Sequence, residues 1–419
     1  MPDKPNPVAP ETPGRDPTNP LRYMSLHDRP YGVGLAYRFS VHEEVLAHRD
    51  EIDLLEISTE DYIVRERRIF SDPDESKLRD ILGTIPCVAH GISLSIGSVE
   101  PLDRAYLEGT RTFLEENGIG VFSEHLAYHR MDGNDLTMFL AMPFEEVSIQ
   151  WLKQNYFAVR QELGRPFALE NVTYHFPVPH CSLSEADFLR RLTEETDCTL
   201  LLDVTNVFNN AHNHGYDPVA FLDRLPMERV SQMHLAGGHK RDDGKWEDSH
   251  SAPVMDPVWP LFEEAVQRAA NVECVILERD SRLEPFFNVM EDIRKAREIF
   301  YRHKPRTSGV SAPPPIAAME KGSEPAWEAG EFEDLRAYQR TMMGRISDPA
   351  FREEFLENAP TAAAERYRLT DPQWLQRVLD SDGASMHHLA SAWDYFRDED
   401  EVVEEEYKDR EWAMWAEQM

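Results

Sequence analysis

The sequence predicts a (β/α)₈ barrel, an α/β TIM barrel, followed by a small α-helical domain, on three observations. From about residue 30 to 303, short apolar runs alternate with amphipathic stretches, the pattern of repeated βα units. Eight such runs can be counted, the number that closes a barrel. The chain's 419 residues, 41% of them hydrophobic, suffice for one large core and an appendage.

The candidate strands are GVGLAY from Gly32, DLLEIS from Asp53, PCVAHGI from Pro86, GVFSEHL from Gly120, PFALENV from Pro166, TLLLDV from Thr199, RVSQMHLA from Arg229 and ECVILE from Glu273. Between them, Asp103 to Glu116 reads as a helix stopped at Gly118, and Glu146 to Leu163 as one stopped at Gly164. Ser184 followed by Asp187 marks a third helix start, because a serine oxygen accepts from the free N–H groups of a first turn. The segment NNAHNHG after the sixth strand reads as a loop. Pro285 to Tyr301 supplies the last barrel helix.

Residues 304–325 concentrate Pro, Ser and Gly and are expected to form a linker. Beyond them EDLRAYQRTMMGRI, DPAFREEFLENA and DPQWLQRVLDS have helical spacing, the latter two with Pro near the start, where its missing N–H costs little. The expected organisation is therefore a lead-in over 1–20, a barrel over 21–303, the linker, and a helical accessory domain over 326–419. The acidic run near the C-terminus reads as a solvated helix face.

A formal net charge of −33 argues against nucleic acid as a partner, since phosphate binding relies on clustered Lys and Arg. No apolar run approaches a membrane span, and the proline-rich first residues lack the apolar core of a signal peptide. Cys87, Cys181, Cys198 and Cys274 show no CxxC spacing, so reduced, mostly buried thiols of a cytoplasmic protein are expected.

The chemistry is concentrated at the strand ends, which in a parallel barrel share one rim. Ten of the sixteen histidines lie between positions 90 and 250. The third strand offers His90, the fourth Glu124 and His125, the fifth Glu170 and then Asn171. The sixth offers Asp203 and Asn206, and the following loop His212 and His214. The seventh offers His234, with His239 soon after; EDSH adds Asp248 and His250, and the eighth strand ends at Glu278. A lone strand histidine is more often a hydrogen-bonded core residue than a ligand. Six or more imidazoles and carboxylates at one mouth would repel each other and resist burial unless cations neutralised them. Nitrogen and oxygen donors without cysteine suit Fe, Mn or Zn.

The ordered motifs GVGLAYR, LEISTEDY, AHGISLSIGS, FSEHLAY, ALENVTYH, LLDVTNVFNNAHNHGYDP, MHLAGGH, EDSH and VILERD, spanning about residues 32 to 280, resemble the multinuclear non-heme iron-dependent oxidative enzymes, the family of the methanobactin-biosynthesis oxidase. At fold level the chain also resembles the endonuclease IV and xylose-isomerase-like barrels. The resemblance implies an O₂-using oxidase with two or three irons of mixed Fe(II)/Fe(III) state. Its substrate would be a ribosomally made precursor peptide, modified at cysteine, often presented by a separate partner protein. It further implies His90, Glu124, Glu170, Asp203, His234, Asp248, His250 and Glu278 as ligands, with Asn206, His214 and His239 behind them. Asp248 and His250 are taken as catalytic as well. The chain departs from the family at Ser58 and Asp61, where a histidine and an asparagine are common, and at Thr205, where a second asparagine is common.

Two other functions compete. One is a Zn- or Mn-dependent hydrolase or isomerase built on the same ligands; the other is a scaffold around a structural metal, which would need only a closed set of four ligands. The helical tail is expected to recognise the peptide or a partner.

Overall fold

Eight parallel strands close into a barrel in the computed structural model, which describes residues 31–63, 75–131, 134–174, 181–240, 244–283, 285–305, 335–340 and 342–343. The barrel strands are β1 (Gly32–Ala36), β2 (Leu55–Ser58), β3 (Cys87–Gly91), β4 (Phe122–His125), β7 (Ala168–Glu170), β8 (Thr199–Asp203), β9 (Val230–Ala236) and β12 (Cys274–Glu278). Each falls within one of the eight expected runs, and the ring closes where β1 pairs with β12. Two antiparallel hairpins interrupt the βα alternation: β5 (Tyr128–Met131) with β6 (Asn134–Leu140), and β10 (His239–Lys240) with β11 (Trp246–Glu247).

Helices α1 (His42–Ala47), α2 (Glu60–Ile63) and α3 (Glu75–Leu82) are short. The longer ones begin and end where their caps dictate. In α4 (Arg104–Glu116) Asp103 accepts from the N–H groups of Ala105 and Tyr106, α5 (Glu146–Leu163) stops at the left-handed Gly164, and α6 (Glu185–Thr196) starts under the Ser184 hydroxyl. The expected loop after the sixth strand is instead helix α7 (Val204–His214): Asp203 accepts from the Asn206 N–H at 2.8 Å, and Gly215 ends it at φ 74°. Then come α8 (Pro218–Arg224), α9 (Val258–Arg268) and α10 (Phe286–His303).

Strand residues alternate between two faces. Leu35, Leu55, Ile57, Ala89, Val275 and Leu277 join the large core under the helices, while Ala36, Leu54, Val88, Cys274 and Ile276 form a separate small cluster. Register places Ala36, Glu56 and Val88 side by side, and Ile276 beside His234 and Asp203. This second face is the barrel lumen. Buried apolar side chains, Leu54 and Ile276 among them, occupy part of it, and polar ones stand at the strands' C-terminal ends. All four cysteines are free thiols. No helix among the described residues is long and apolar enough to cross a membrane.

The expected lead-in and nearly all of the linker lie outside the described residues, as does most of the accessory segment. The described part of that segment is helical and packs on the barrel. Leu335, Tyr338, Gln339, Met342 and Met343 are buried, and Tyr338 meets Tyr128 edge-on at 6.5 Å. Gln339 acts as a two-point clip: its amide donates to the Gly97 carbonyl at 2.6 Å and accepts from the Val99 N–H at 2.8 Å. In Gln339→Ala a buried carbonyl and a buried N–H lose their partners, a loss expected to cost about 1–3 kcal/mol. It should appear as a lower unfolding midpoint in denaturant at unchanged far-ultraviolet circular dichroism.

Candidate metal centre

Among the described residues four histidines reach the barrel mouth, and each has one ring nitrogen held from outside and the other directed at carboxylates. His90 Nδ1 lies 2.9 Å from the Ser123 hydroxyl, and its Nε2 is 3.2 Å from Glu170 Oε2. His125 Nδ1 lies 3.1 Å from the Gly91 carbonyl, and its Nε2 is 3.5 Å from the same Glu170 oxygen. His234 Nε2 meets Glu56 at 2.9 Å, leaving Nδ1 at 3.4 Å from Glu170 Oε1 and 3.0 Å from Glu278. His250 Nδ1 meets Asp280 at 2.9 Å, leaving Nε2 at 3.0 Å from Asp248 and 3.7 Å from Glu278. An outer partner of this kind fixes the tautomer and orientation of a metal-binding imidazole.

Donor atoms close enough to hold one ion fall into two groups: His90, His125 and Glu170, and Glu170, Asp203, His234 and Glu278. Glu170 belongs to both, with Oε2 toward the first and Oε1 toward the second. Asp248 and His250 border the second group.

Electrostatics in this layer favour added positive charge. Burial pushes the Glu170 carboxyl up to about 7 and the Asp203 carboxyl well above its usual range, Asp203 with further pressure from Asp248, Glu170 and Glu278. Burial likewise raises Glu56. It depresses His90 and holds His125 down to about 3, as expected of imidazoles kept neutral. Burial would depress His234 too, but Glu278, Glu56 and Glu170 outweigh it and raise this one. Glu170 Oε2, Asp203 Oδ2, His234 Nδ1, Asp248 Oδ1 and His250 Nε2 are buried and make no hydrogen bond. Such atoms are costly to leave unsatisfied; cations would satisfy all five, and an all-nitrogen-and-oxygen donor set fits Fe, Mn or Zn.

His250 is also unusual in its backbone, which sits at φ 48°, a left-handed conformation uncommon outside glycine. Asp280 stabilises it twice, by the contact with Nδ1 and by an N–H donated to the His250 carbonyl at 2.9 Å. Arg38 pairs with the other Asp280 oxygen. Burial would push the Asp280 carboxyl up, but Arg38 and His250 outweigh it and hold it below the usual range.

Of the residues singled out from sequence, His90, Glu170, Asp203, His234 and Glu278 come together, with Asp248 and His250 beside them. Four are placed elsewhere. Glu124 follows Ser123 and precedes His125, so strand alternation turns it to the helix side. There its Oε1 accepts from the Tyr106 hydroxyl at 2.5 Å and the Leu94 N–H at 3.0 Å. Asn206 uses both ends of its amide, donating to the Asn171 carbonyl at 3.1 Å and accepting from Thr173. His214 lies at the far end of α7, about 16 Å along the helix from Asp203 at 1.5 Å per residue. It stacks on Tyr174, with Nε2 2.8 Å from the Tyr174 carbonyl. His239 sits in the β10–β11 hairpin, 3.6 Å from Glu247.

Glu56, Asp280 and Arg38 were not singled out from sequence, and His125, offered at the end of the fourth strand, was left out of the implied ligand set. For His125 the available signal was strand alternation, since it stands in register with Glu170.

A parallel barrel with a shared carboxylate between two groups of imidazole and carboxylate donors defines a protein with a candidate polynuclear metal centre at its mouth. Its relatives narrow that class. The chain belongs to the MbnB/TglH/ChrH family of RiPP precursor modification enzymes, whose family model matches residues 32–301. A UPF0276 protein of Nitrosospira multiformis is 37% identical over 245 residues, 58% of this chain and 83% of the relative. One from Acaryochloris marina is 32% identical over 275 residues, 66% of this chain and 97% of the relative. Among solved structures, D-psicose 3-epimerase from Clostridium cellulolyticum is similar with a TM-score of 0.44 at 12% identity, covering 65% of this chain and 99% of the epimerase. Endonuclease IV of Thermus thermophilus is similar with a TM-score of 0.42 at 14% identity, over 64% of this chain and 99% of that one.

The outer partners give a direct test. Asp280→Asn, which keeps the shape but removes the charge behind His250, should lower metal affinity about 10- to 100-fold. Glu170→Ala should strip more metal than His125→Ala, because it serves both groups. Elemental analysis of the purified variants measures both.

Proposed function

We propose that this protein is a multinuclear iron-dependent, O₂-using oxidase that modifies a ribosomally made precursor peptide at cysteine. The observation that carries the reading is Glu170, one buried carboxylate offering separate oxygens to two donor groups; membership of a family of peptide-modifying enzymes supplies the substrate class. His90, His125 and Glu170 would hold one iron, and Glu170, Asp203, His234 and Glu278 a second. Asp248 and His250 would complete the set or hold a third. Bound there in mixed Fe(II)/Fe(III) state, iron would supply the redox chemistry by which O₂ takes up electrons from the peptide.

The chain's own residues do the rest. Ser123, the Gly91 carbonyl, Glu56 and Asp280 fix the four imidazoles. The buried apolar cluster of Ala36, Leu54, Val88, Cys274 and Ile276 lies on the same inner face of the strands. Asp248 and His250, with side chains 19% and 17% exposed, stand at the open edge where a peptide would arrive, which supports a catalytic part for this pair in orienting it. The free thiols support a cytoplasmic location. Residues beyond 343 would recognise the peptide or the partner protein that presents it.

Protein purified without oxygen is expected to contain more than one iron per chain and to consume O₂ only when a cysteine-bearing precursor peptide is added. A preparation active with zinc alone, or turning over without O₂, would place it instead with hydrolytic or isomerising barrels. Truncation after residue 343 should leave iron content unchanged and reduce peptide turnover; equal turnover would remove the recognition role.

A further inference from the structure

Away from the barrel mouth lies a cavity of about 390 Å³ between the start of α6, the end of α7 and α8. Its walls are unusual for a protein with so many surface charges. Phe144, Tyr174, Tyr216 and Phe221 line it, with Tyr216 stacked on Phe221 at 5.6 Å and Phe144 edge-on to Tyr174 at 5.9 Å. Among these rings sits one buried carboxylate, Glu185, only 9% exposed; a second lining carboxylate, Asp217, is not buried. Its Oε2 makes no hydrogen bond, and neither does the buried Tyr216 hydroxyl. Among the described residues no lysine or arginine pairs with Glu185; Arg224, at the rim, is engaged by Asp187.

We propose that this cavity binds a cationic side chain, the lysine or arginine of a peptide, with its charge on Glu185 and its aliphatic stem between the aromatic rings. Each part of the lining matches such a group. Ring faces attract cations, a buried carboxylate demands a countercharge, and the two unsatisfied oxygens can accept the N–H donors that a cation would bring. Glu185 also occupies the first turn of a 12-residue helix, where the dipole favours its ionised form. The volume accommodates a long side chain with part of its backbone, and the chain's charge of −33 draws basic segments toward it. That the cation arrives on a precursor peptide rests on the function proposed above; the cavity's preference for a cation does not.

Burial pushes the Glu185 carboxyl up to about 8, opposed only by the Tyr174 hydroxyl. Burial thus favours its protonated form in the free protein, and a bound cation would favour the ionised one. The other titratable groups lining the cavity are Tyr174, Cys181, His214, Tyr216, Asp217 and Arg224. Burial raises the first two of these and Tyr216, so all three stay protonated at neutral pH.

The probes are the N-acetyl amides of lysine, arginine and norleucine, titrated into the full chain and followed by NMR of labelled tyrosine rings. A lysine or arginine amide should bind at about millimolar concentration and release a proton, seen calorimetrically in buffers of different ionisation heat. The norleucine amide should bind at least tenfold more weakly. Glu185→Gln should weaken cation binding about tenfold or more and abolish the proton release, and Tyr216→Phe, an independent variant should the first fail to fold, should weaken it several-fold. Equal binding of norleucine, unchanged binding in both variants, or no ring shift at about 20 mM amide overturns the proposal. None of these outcomes involves iron, O₂ or turnover, so the oxidase reading stands or falls separately.

Discussion

Glu170 stands between two groups of side chains, one oxygen toward His90 and His125 and the other toward His234. Around it Asp203, Glu278 and Glu56 bring three more carboxylates into a layer almost without water. The carboxylates make both His234 and His250 more basic, and burying unpaired charge costs several kcal/mol for each ion. The mouth of this barrel is thus a place where carboxylates are gathered under burial that resists their ionisation, and much of the surrounding structure can be understood as what keeps it in shape. Below it, buried apolar side chains occupy part of the lumen. Around it, every histidine is tied by its outer nitrogen.

Those ties differ in kind. His90 and His125 are held by a hydroxyl and a backbone carbonyl, neutral partners that leave the rings without charge. His234 and His250 are held by carboxylates, Glu56 and Asp280, which make the rings more basic. The two donor groups that share Glu170 therefore carry different charge, the first richer in neutral imidazole and the second in carboxylate. Unequal surroundings of this sort favour unequal charges on two otherwise similar cations.

The eight strands were legible because each is an apolar run bounded by turn residues, and most of the donors because they stand at the ends of those runs. Glu124 and His125 show where such reading stops. Both sit at one strand end, and only the register against Glu170 decides which of them enters the lumen. Glu56 was out of reach for another reason: its partner His234 is 178 residues away, so nothing local distinguishes it from a charged residue in an edge strand. Helix α7 was read as a loop because Asn and His are weak helix formers. Here the asparagines serve as brackets, Asn210 holding the Tyr174 N–H and the Val172 carbonyl and Asn213 holding Trp246, and these tertiary bonds override local preference.

The segment at 335–343 bears on where the working unit ends. Gln339 clips Gly97 and Val99, in the same loop as Ser95, whose hydroxyl accepts from the N–H groups of His129 and Arg130 in β5. The hairpin begun by β5 returns Phe139 to lie stacked on the His125 ring at 3.8 Å. A continuous run of hydrogen bonds and packed rings thus leads from a residue far beyond the last barrel helix to a candidate ligand. The family match stops at residue 301, yet Gln339, beyond it, holds the loop that supports β5. Side chains packed this closely do not move independently, so the packed unit includes residues 335–343 as well as the barrel's own loops.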